Sequence, residues 1–159
     1  MIITILSVGN IKEKYFIDAI DEYKKRLSKY CKLKEIVLQD LAINENPSLK
    51  EIEIIKNKEG EKIIDNIPKD SYVITLDLKG KMISSEDLAL KIDEISTYNS
   101  SNIVFIIGGS LGLSNDVIAK ANYSLCISKM TFPHKLCKVI LLEQIYRAFK
   151  INNNETYHK

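Results

Sequence analysis

The feature that most constrains this chain is the apolar run Ile103-Val104-Phe105-Ile106-Ile107, closed by Gly108-Gly109. A run with no polar interruption reads as a buried strand, and the glycine pair turns it into a tight loop with exposed backbone. Further strands are expected over 2–8, 33–39, 71–78 and 123–127, each rich in Ile, Val, Leu or Tyr. Helical periodicity fills the intervals. Over 15–30, Tyr15, Ala19, Tyr23 and Leu27 keep a four-residue step, and after Ser84-Ser85-Glu86-Asp87 the stripe is Leu88, Ile92 and Ile95. Strands and helices alternate throughout, which implies an α/β fold with a mainly parallel sheet flanked by helices. Residues 1–159 are expected to form a single domain, with no internal repeat or linker.

Local chemistry sets the expected boundaries. Asn46-Pro47 reads as a cap followed by proline at the first helical position, opening a helix through Leu49, Ile52, Ile55, Ile63 and Ile64. Gly60 weakens that helix by about 1 kcal/mol relative to alanine. Asp77 is expected at the carboxyl end of its strand, with Lys79-Gly80-Lys81 as the turn after it. Ser114 caps a short helix to Lys120, and a long helix runs on from Pro133. That last helix is apolar on more than one side. Leu136, Val139, Leu142, Ile145 and Phe149 form one stripe, widened by Ile140, Leu141 and Ala148. Two partners are needed to cover it, the sheet and a second subunit.

A net charge of +2 is too small to argue nucleic-acid binding. From Lys12 to Lys34, eight basic residues stand against four acidic ones, which suits either a solvated helix face or a phosphate-tracking surface. Three cysteines, odd in number and without metal-type spacing, indicate a reducing compartment. The amino terminus reads as a first strand rather than a signal peptide, and no apolar run approaches the roughly 20 residues needed to span a bilayer. The expectation is a cytoplasmic protein with no membrane partner and no metal.

In parallel sheets, ligands bind outside the carboxyl ends of strands. Three such ends carry unusual chemistry: Leu76-Asp77, Gly108-Gly109 and the segment from Ile127 to Phe132. If their strands are neighbours, they form one pocket. The glycine loop matches no phosphate fingerprint and serves either as a structural turn or as a ligand loop. In the loop Ser128 to His134, backbone groups suit an adenine edge, with Met130 and Phe132 as walls; a plain crossover is the alternative. His134, at a helix start, is disfavoured as a cation and suits a neutral base. His158 would ordinarily be a frayed end residue, but Tyr157 beside it can anchor the tail.

Taken together, these segments resemble the ribosomal large subunit methyltransferase H family, bacterial 23S rRNA pseudouridine-N3 methyltransferases of the SPOUT class. The matching segments include Val8-Gly9, Lys58-Glu59-Gly60-Glu61, Thr75-Leu76-Asp77 with Gly80-Lys81, and Ile106-Ile107-Gly108-Gly109. They continue with Leu111-Gly112-Leu113-Ser114, Phe132-Pro133-His134, Tyr146-Arg147-Ala148 and Tyr157-His158. The resemblance implies S-adenosylmethionine as cofactor, a C-terminal trefoil knot, a homodimer, and a substrate in the helix 69 loop of 23S rRNA on the assembled ribosome. It puts cofactor contacts on Leu76, Gly108, Ile127, Ser128, Lys129, Met130, Thr131 and Phe132, and catalytic roles on His134, His158 and Lys159. Lys159 stands where some members have arginine, keeping the charge without the planar fork. The implied reaction is methyl transfer from a sulfonium to N3, with a neutral histidine taking the imide proton. A non-catalytic ribosome- or RNA-binding module is the alternative; it would need the basic face but neither the glycine pocket nor the histidines.

Overall fold

The computed structural model describes residues 1–158. Strands β1 (Ile2–Val8), β2 (Lys32–Leu38), β3 (Tyr72–Lys81), β4 (Asn102–Ile107) and β5 (Tyr123–Leu125) alternate with helices. These are α1 (Lys14–Leu27), α2 (Leu49–Asp65), α3 (Ser85–Tyr98), α4 (Asn115–Lys120) and α5 (His134–Asn152). The strands form one sheet in the order β2-β1-β4-β3-β5, and every pairing is parallel. The expected "mainly" parallel sheet is therefore parallel throughout the described residues.

Two cores explain why the central strands are apolar on both faces. Ile3, Ile5, Ile103, Phe105 and Ile107 pack with Ile20 and Leu27 of α1, the Leu88, Ile92, Ile95 stripe of α3, and α5. Leu6, Val8, Val104 and Ile106 face the other way, against Ile63 of α2 and Val117 of α4. One row crosses the sheet as Glu35, Ile5, Phe105, Ile74 and Tyr123. Phe105 is fully buried at its centre, where truncation to alanine costs about 3–5 kcal/mol. Glu35, at the end of that row, faces the helices and meets Lys138 Nζ of α5 at 2.6 Å as well as Lys24 of α1. Lys138, which the expected apolar stripe does not include, is thus a buried cation. Leu141 and Ala148 are buried with Leu142, Ile145 and Phe149, whereas Leu136 and Val139 are only partly covered.

Several expected boundaries move. In α1 the exposed Tyr15 is not part of the buried face, which is Ile20 and Leu27. The cap of α2 is Ser48, not Asn46: its side chain accepts from Glu51 N–H while Glu51 accepts from Ser48 N–H, a reciprocal box that Asn46 cannot form from its position. Lys79-Gly80-Lys81 is not a turn but the end of β3. It stays extended because β5 runs beside it, with Lys81 paired to Leu125 across a register shift and accepting from Cys126 N–H at 3.0 Å. Gly80 is required there, since a Cβ would come 2.7 Å from Ser124 O. β5 in turn ends at Leu125, two residues short of the expected strand. The cap at Ser84, with Asp87 as its partner, and that at Ser114 stand where the local pattern puts them.

Candidate active site

The chain reaches β4 from β3 through α3 on one face of the sheet and leaves it for β5 through α4 on the other. Connections departing in opposite directions leave a crevice at the strand ends. A cleft of about 720 Å³ occupies that place, walled by β3, the glycine loop 107–112 and the loop that leaves β5. The three segments singled out in the sequence lie on neighbouring strands and share one pocket, although Leu76-Asp77 is not a strand end, because β3 runs on to Lys81 beside β5.

The glycine loop is both a turn and a wall. Gly112 N–H donates to Gly109 O at 3.1 Å, and Gly112 takes the left-handed φ of +82° that suits glycine. A Cβ on Gly108 would lie 2.9 Å from the carbonyl carbon of Gly112 and 3.0 Å from Leu113 Cδ2. Gly108 is therefore glycine because the loop closes on itself, and a larger residue there would disturb the wall before it filled the cleft. Beyond β5 the opposite wall is also held internally. Cys126 Sγ donates to Ser128 O at 3.1 Å, and Met130 N–H donates to Ser128 Oγ at 3.0 Å. Met130, 71% exposed, forms a rim rather than the expected apolar wall, and Phe132 is half-buried.

Leu76, Gly108, Ile127, Ser128, Met130, Thr131 and Phe132 all line the cleft, as does His134; Lys129 does not. Among the described residues Asp77 is the one carboxylate lining the cleft, and neither lysine nor arginine joins it. A phosphate-rich nucleotide would find no cation there, whereas a ligand carrying positive charge meets a compatible wall. A second cavity of similar volume, at the opposite edge of the sheet, is lined by Lys24, Lys29, Lys32 and Glu35 and has no glycine loop.

His134 is the first residue of α5, behind Pro133. Its Nε2 is buried with no hydrogen-bond partner among the described residues. The ring lies over Gly9, where a Cβ would come 3.1 Å from Nε2 and where φ is +94°. Burial, and then the neighbouring Lys135 charge, push the His134 pKa below the usual histidine value, while Asp40 and Glu13 pull against them. The imidazole is thus held neutral. Lys135 itself is tied to Glu13 ahead of α1 at 2.5 Å.

Neither Tyr157 nor His158 lines this cleft within one chain. Tyr157 OH donates to Glu143 Oε1 at 3.2 Å and its ring packs edge-on against Tyr146, so the aromatic anchors the tail as expected. His158 Nε2 stands 2.7 Å from Glu86 Oε1, and Nδ1 lies 3.3 Å from an Arg147 nitrogen. Burial and the nearby Tyr23 hydroxyl push the Tyr157 pKa up to about 12. Lys159, the remaining expected catalytic group, lies outside the described residues. Among the described residues no group of three or more His, Cys, Asp or Glu could hold a metal ion, and no helix is long and apolar enough to cross a membrane.

Sequence reasoning named Gly9 and Glu59 only within matching segments and gave no role to Gly9, the seat of His134, or to Glu59, a carboxylate buried behind the glycine loop. Glu59 left a signal: it stands four residues from both Ile55 and Ile63, a charged residue on an apolar stripe.

Comparison with known proteins adds a family. The family model described as "Predicted SPOUT methyltransferase" matches residues 1–158. A protein of Clostridium botulinum (strain Alaska E43 / Type E3) called "Ribosomal RNA large subunit methyltransferase H" is 62% identical over the full length of both chains. Its counterpart of the same name in Clostridioides difficile (strain 630) is 57% identical, again over both full lengths. Among solved structures, a probable methylase family protein from Haemophilus influenzae Rd KW20 superposes with a TM-score of 0.52 at 18% identity. It covers 99% of this chain and 70% of that one, a likeness of fold alone.

Proposed function

Since the chain belongs to the SPOUT methyltransferase family, we propose that it methylates N3 of a pseudouridine in the helix 69 loop of 23S rRNA, on the assembled ribosome, using S-adenosylmethionine. The observation that carries this reading is the cleft beside β3, β4 and β5: a glycine-loop wall, among the described residues a single carboxylate and no lining cation, and a neutral imidazole beside them. The rRNA substrate is supported by the names of full-length relatives at 57–62% identity. The choice of base and of helix rests on the family resemblance.

Leu76, Gly108, Ile127, Ser128, Met130, Thr131 and Phe132 would hold the cofactor, with Asp77 as the charge nearest its cationic groups. Bound there, S-adenosylmethionine supplies an electrophilic methyl group on a positively charged sulfur. The chain's task is to orient the base and accept the imide proton of N3, whose lone pair is otherwise unavailable. With Nε2 of His134 turned toward Gly9, Nδ1 is the ring nitrogen left to take that proton, and the neutral ring has the capacity to do so. His158 lies with Glu86 and Arg147 rather than in its own cleft. A homodimer, in which the tail serves the site of a second copy, reconciles that position with a role in the reaction.

Calorimetric titration with S-adenosylmethionine tests the cofactor, and transfer of tritiated methyl groups to ribosomes lacking the modification tests the substrate. Saturable binding and one methyl group per large subunit, mapped to the pseudouridine, are expected. Absence of binding would leave an RNA-binding module as the better account. Methylation of naked 23S rRNA as efficiently as of ribosomes would overturn the assembled-ribosome part.

A further inference from the structure

Glu59 retains only 5% of its surface exposed and has no salt-bridge partner among the described residues. A buried carboxylate without a cation is costly, so its contacts must be specific. It has two. Oε1 accepts from Leu41 N–H at 3.1 Å. Oε2 lies beneath the glycine loop, 3.2 Å from where a Cβ on Gly109 would sit, with Val8 Cγ1 3.3 Å from the same point. Gly109 is therefore bare on the side facing Glu59, and the carboxylate packs against the loop backbone.

The next residue completes the seat. A Cβ on Gly60 would collide with Ser114 Oγ and stand 3.0 Å from Ser114 Cβ, and Ser114 is the residue that caps α4. The mid-helix glycine, unfavourable by local propensity, is explained by this contact. One turn of α2 thus touches both ends of the segment 109–114, whose other side lines the cleft. The segment 39–48 has no regular structure and is held from the same helix. Glu59 binds its start at Leu41, and Glu51 binds its end at Ser48 N–H at 2.7 Å. Asp40, next to Leu41, lies close enough to His134 for its charge to act on the ring.

We propose that Glu59 is a positioning residue that fastens the segment 39–48 to the back of the glycine loop, so that filling the cleft tightens the segment bordering His134. The inference rests on the cleft being the cofactor site. A ligand pressing on the loop from the cleft side finds Glu59 and Val8 already in contact behind it. The loop cannot retreat, and the restraint passes through the carboxylate to Leu41. A charged acceptor suits this task because its bond to a backbone N–H is stronger than a neutral one.

The test is amide hydrogen exchange at Leu41 and Ala42, with and without S-adenosylmethionine, in the wild type, Glu59→Ala, Glu59→Gln and Leu41→Pro. In the wild type the cofactor should slow exchange about tenfold, the scale set by one hydrogen bond to a charged group. Glu59→Ala should exchange faster and ignore the cofactor, and Glu59→Gln, which keeps an oxygen acceptor, should restore most of the response. Leu41→Pro removes the donor instead, and should abolish the response at Ala42 even if Glu59→Ala fails to fold. In turnover, Glu59→Ala should raise KM for ribosomes about tenfold and leave kcat within about threefold, a split expected when substrate binding rather than chemistry is lost. Cofactor binding by the wild type without change at Leu41 and Ala42 would overturn this inference alone, as would a Glu59→Gln variant no better than Glu59→Ala. No cofactor binding at all would overturn the functional reading and this inference with it.

Discussion

His134 opens α5 and His158 lies in the tail beyond its other end, and the two sit in opposite surroundings. His134 is deprived of partners: its Nε2 is buried and unpaired, and burial holds the ring neutral. His158 is surrounded by them, with Glu86 on one ring nitrogen and Arg147 on the other, in a tail braced by Tyr157 and Glu143. A proton acceptor works best when no protein group already satisfies it, whereas a histidine between a carboxylate and a guanidinium is being held in place. Under the proposed function this contrast favours His134 as the proton acceptor and would make His158 a delivered group, whose position depends on the rest of the tail.

The sharpest way to break this contrast is to remove each ring. His134→Ala should lower methyl transfer to ribosomes at least about a hundredfold, the lower range for loss of a general base, with cofactor affinity and melting curve nearly unchanged. Deleting residues 157–159 should lower it by a similar factor if the tail serves a second copy's site. In mixed dimers of the two variants, one intact site should then reassemble. Equal activity of the truncated and intact proteins would leave His134 alone in the mechanism.

A smaller effect is expected at the seat of His134. Gly9→Ala places a Cβ 3.1 Å from Nε2 at a φ of +94°. The ring must shift and the backbone is strained, costing about 1 kcal/mol of stability and about tenfold in single-turnover methyl transfer. An active Gly9→Ala protein with an unmoved ring, judged by its histidine NMR resonances, would argue that the ring's position is incidental.

Smaller still is the pH signature. The folded-state pKa of His134 lies below its ordinary value of about 6.5. The neutral ring's contribution is therefore fully present above about pH 6.5 and lost as pH falls through the lower folded value. The melting temperature of the wild type relative to His134→Gln should fall between pH 7.5 and pH 5, and should be flat above pH 7. A wild-type advantage that grows as pH falls from 7.5 to 5 would contradict the buried neutral ring. Least of all, Glu86→Gln should leave the melting curve unchanged, because the pair it breaks is at the surface. Its effect should appear only in methyl transfer, as a modest loss from a less well held His158.

What local sequence determined was whatever a few consecutive residues decide among themselves. Apolar runs specify buried strands, a period near four specifies helix faces such as Leu88, Ile92 and Ile95, and Ser84 with Asp87 closes a capping box within four residues. The expectation that three strand ends would share a pocket needed one further condition, adjacency, which the order β4-β3-β5 supplies. Tertiary structure decided the rest, because the deciding partner was distant in sequence. Lys79 to Lys81 stays extended only because β5 lies alongside. Lys138 is buried only because Glu35 meets it from β2. Gly60 belongs mid-helix because Ser114 packs on it, and Glu59 is buried because a loop on either side uses its carboxylate. The two histidines, alike in a sequence, differ for the same reason: desolvation and ion pairing are properties of whatever folds against a side chain, not of its neighbours along the chain.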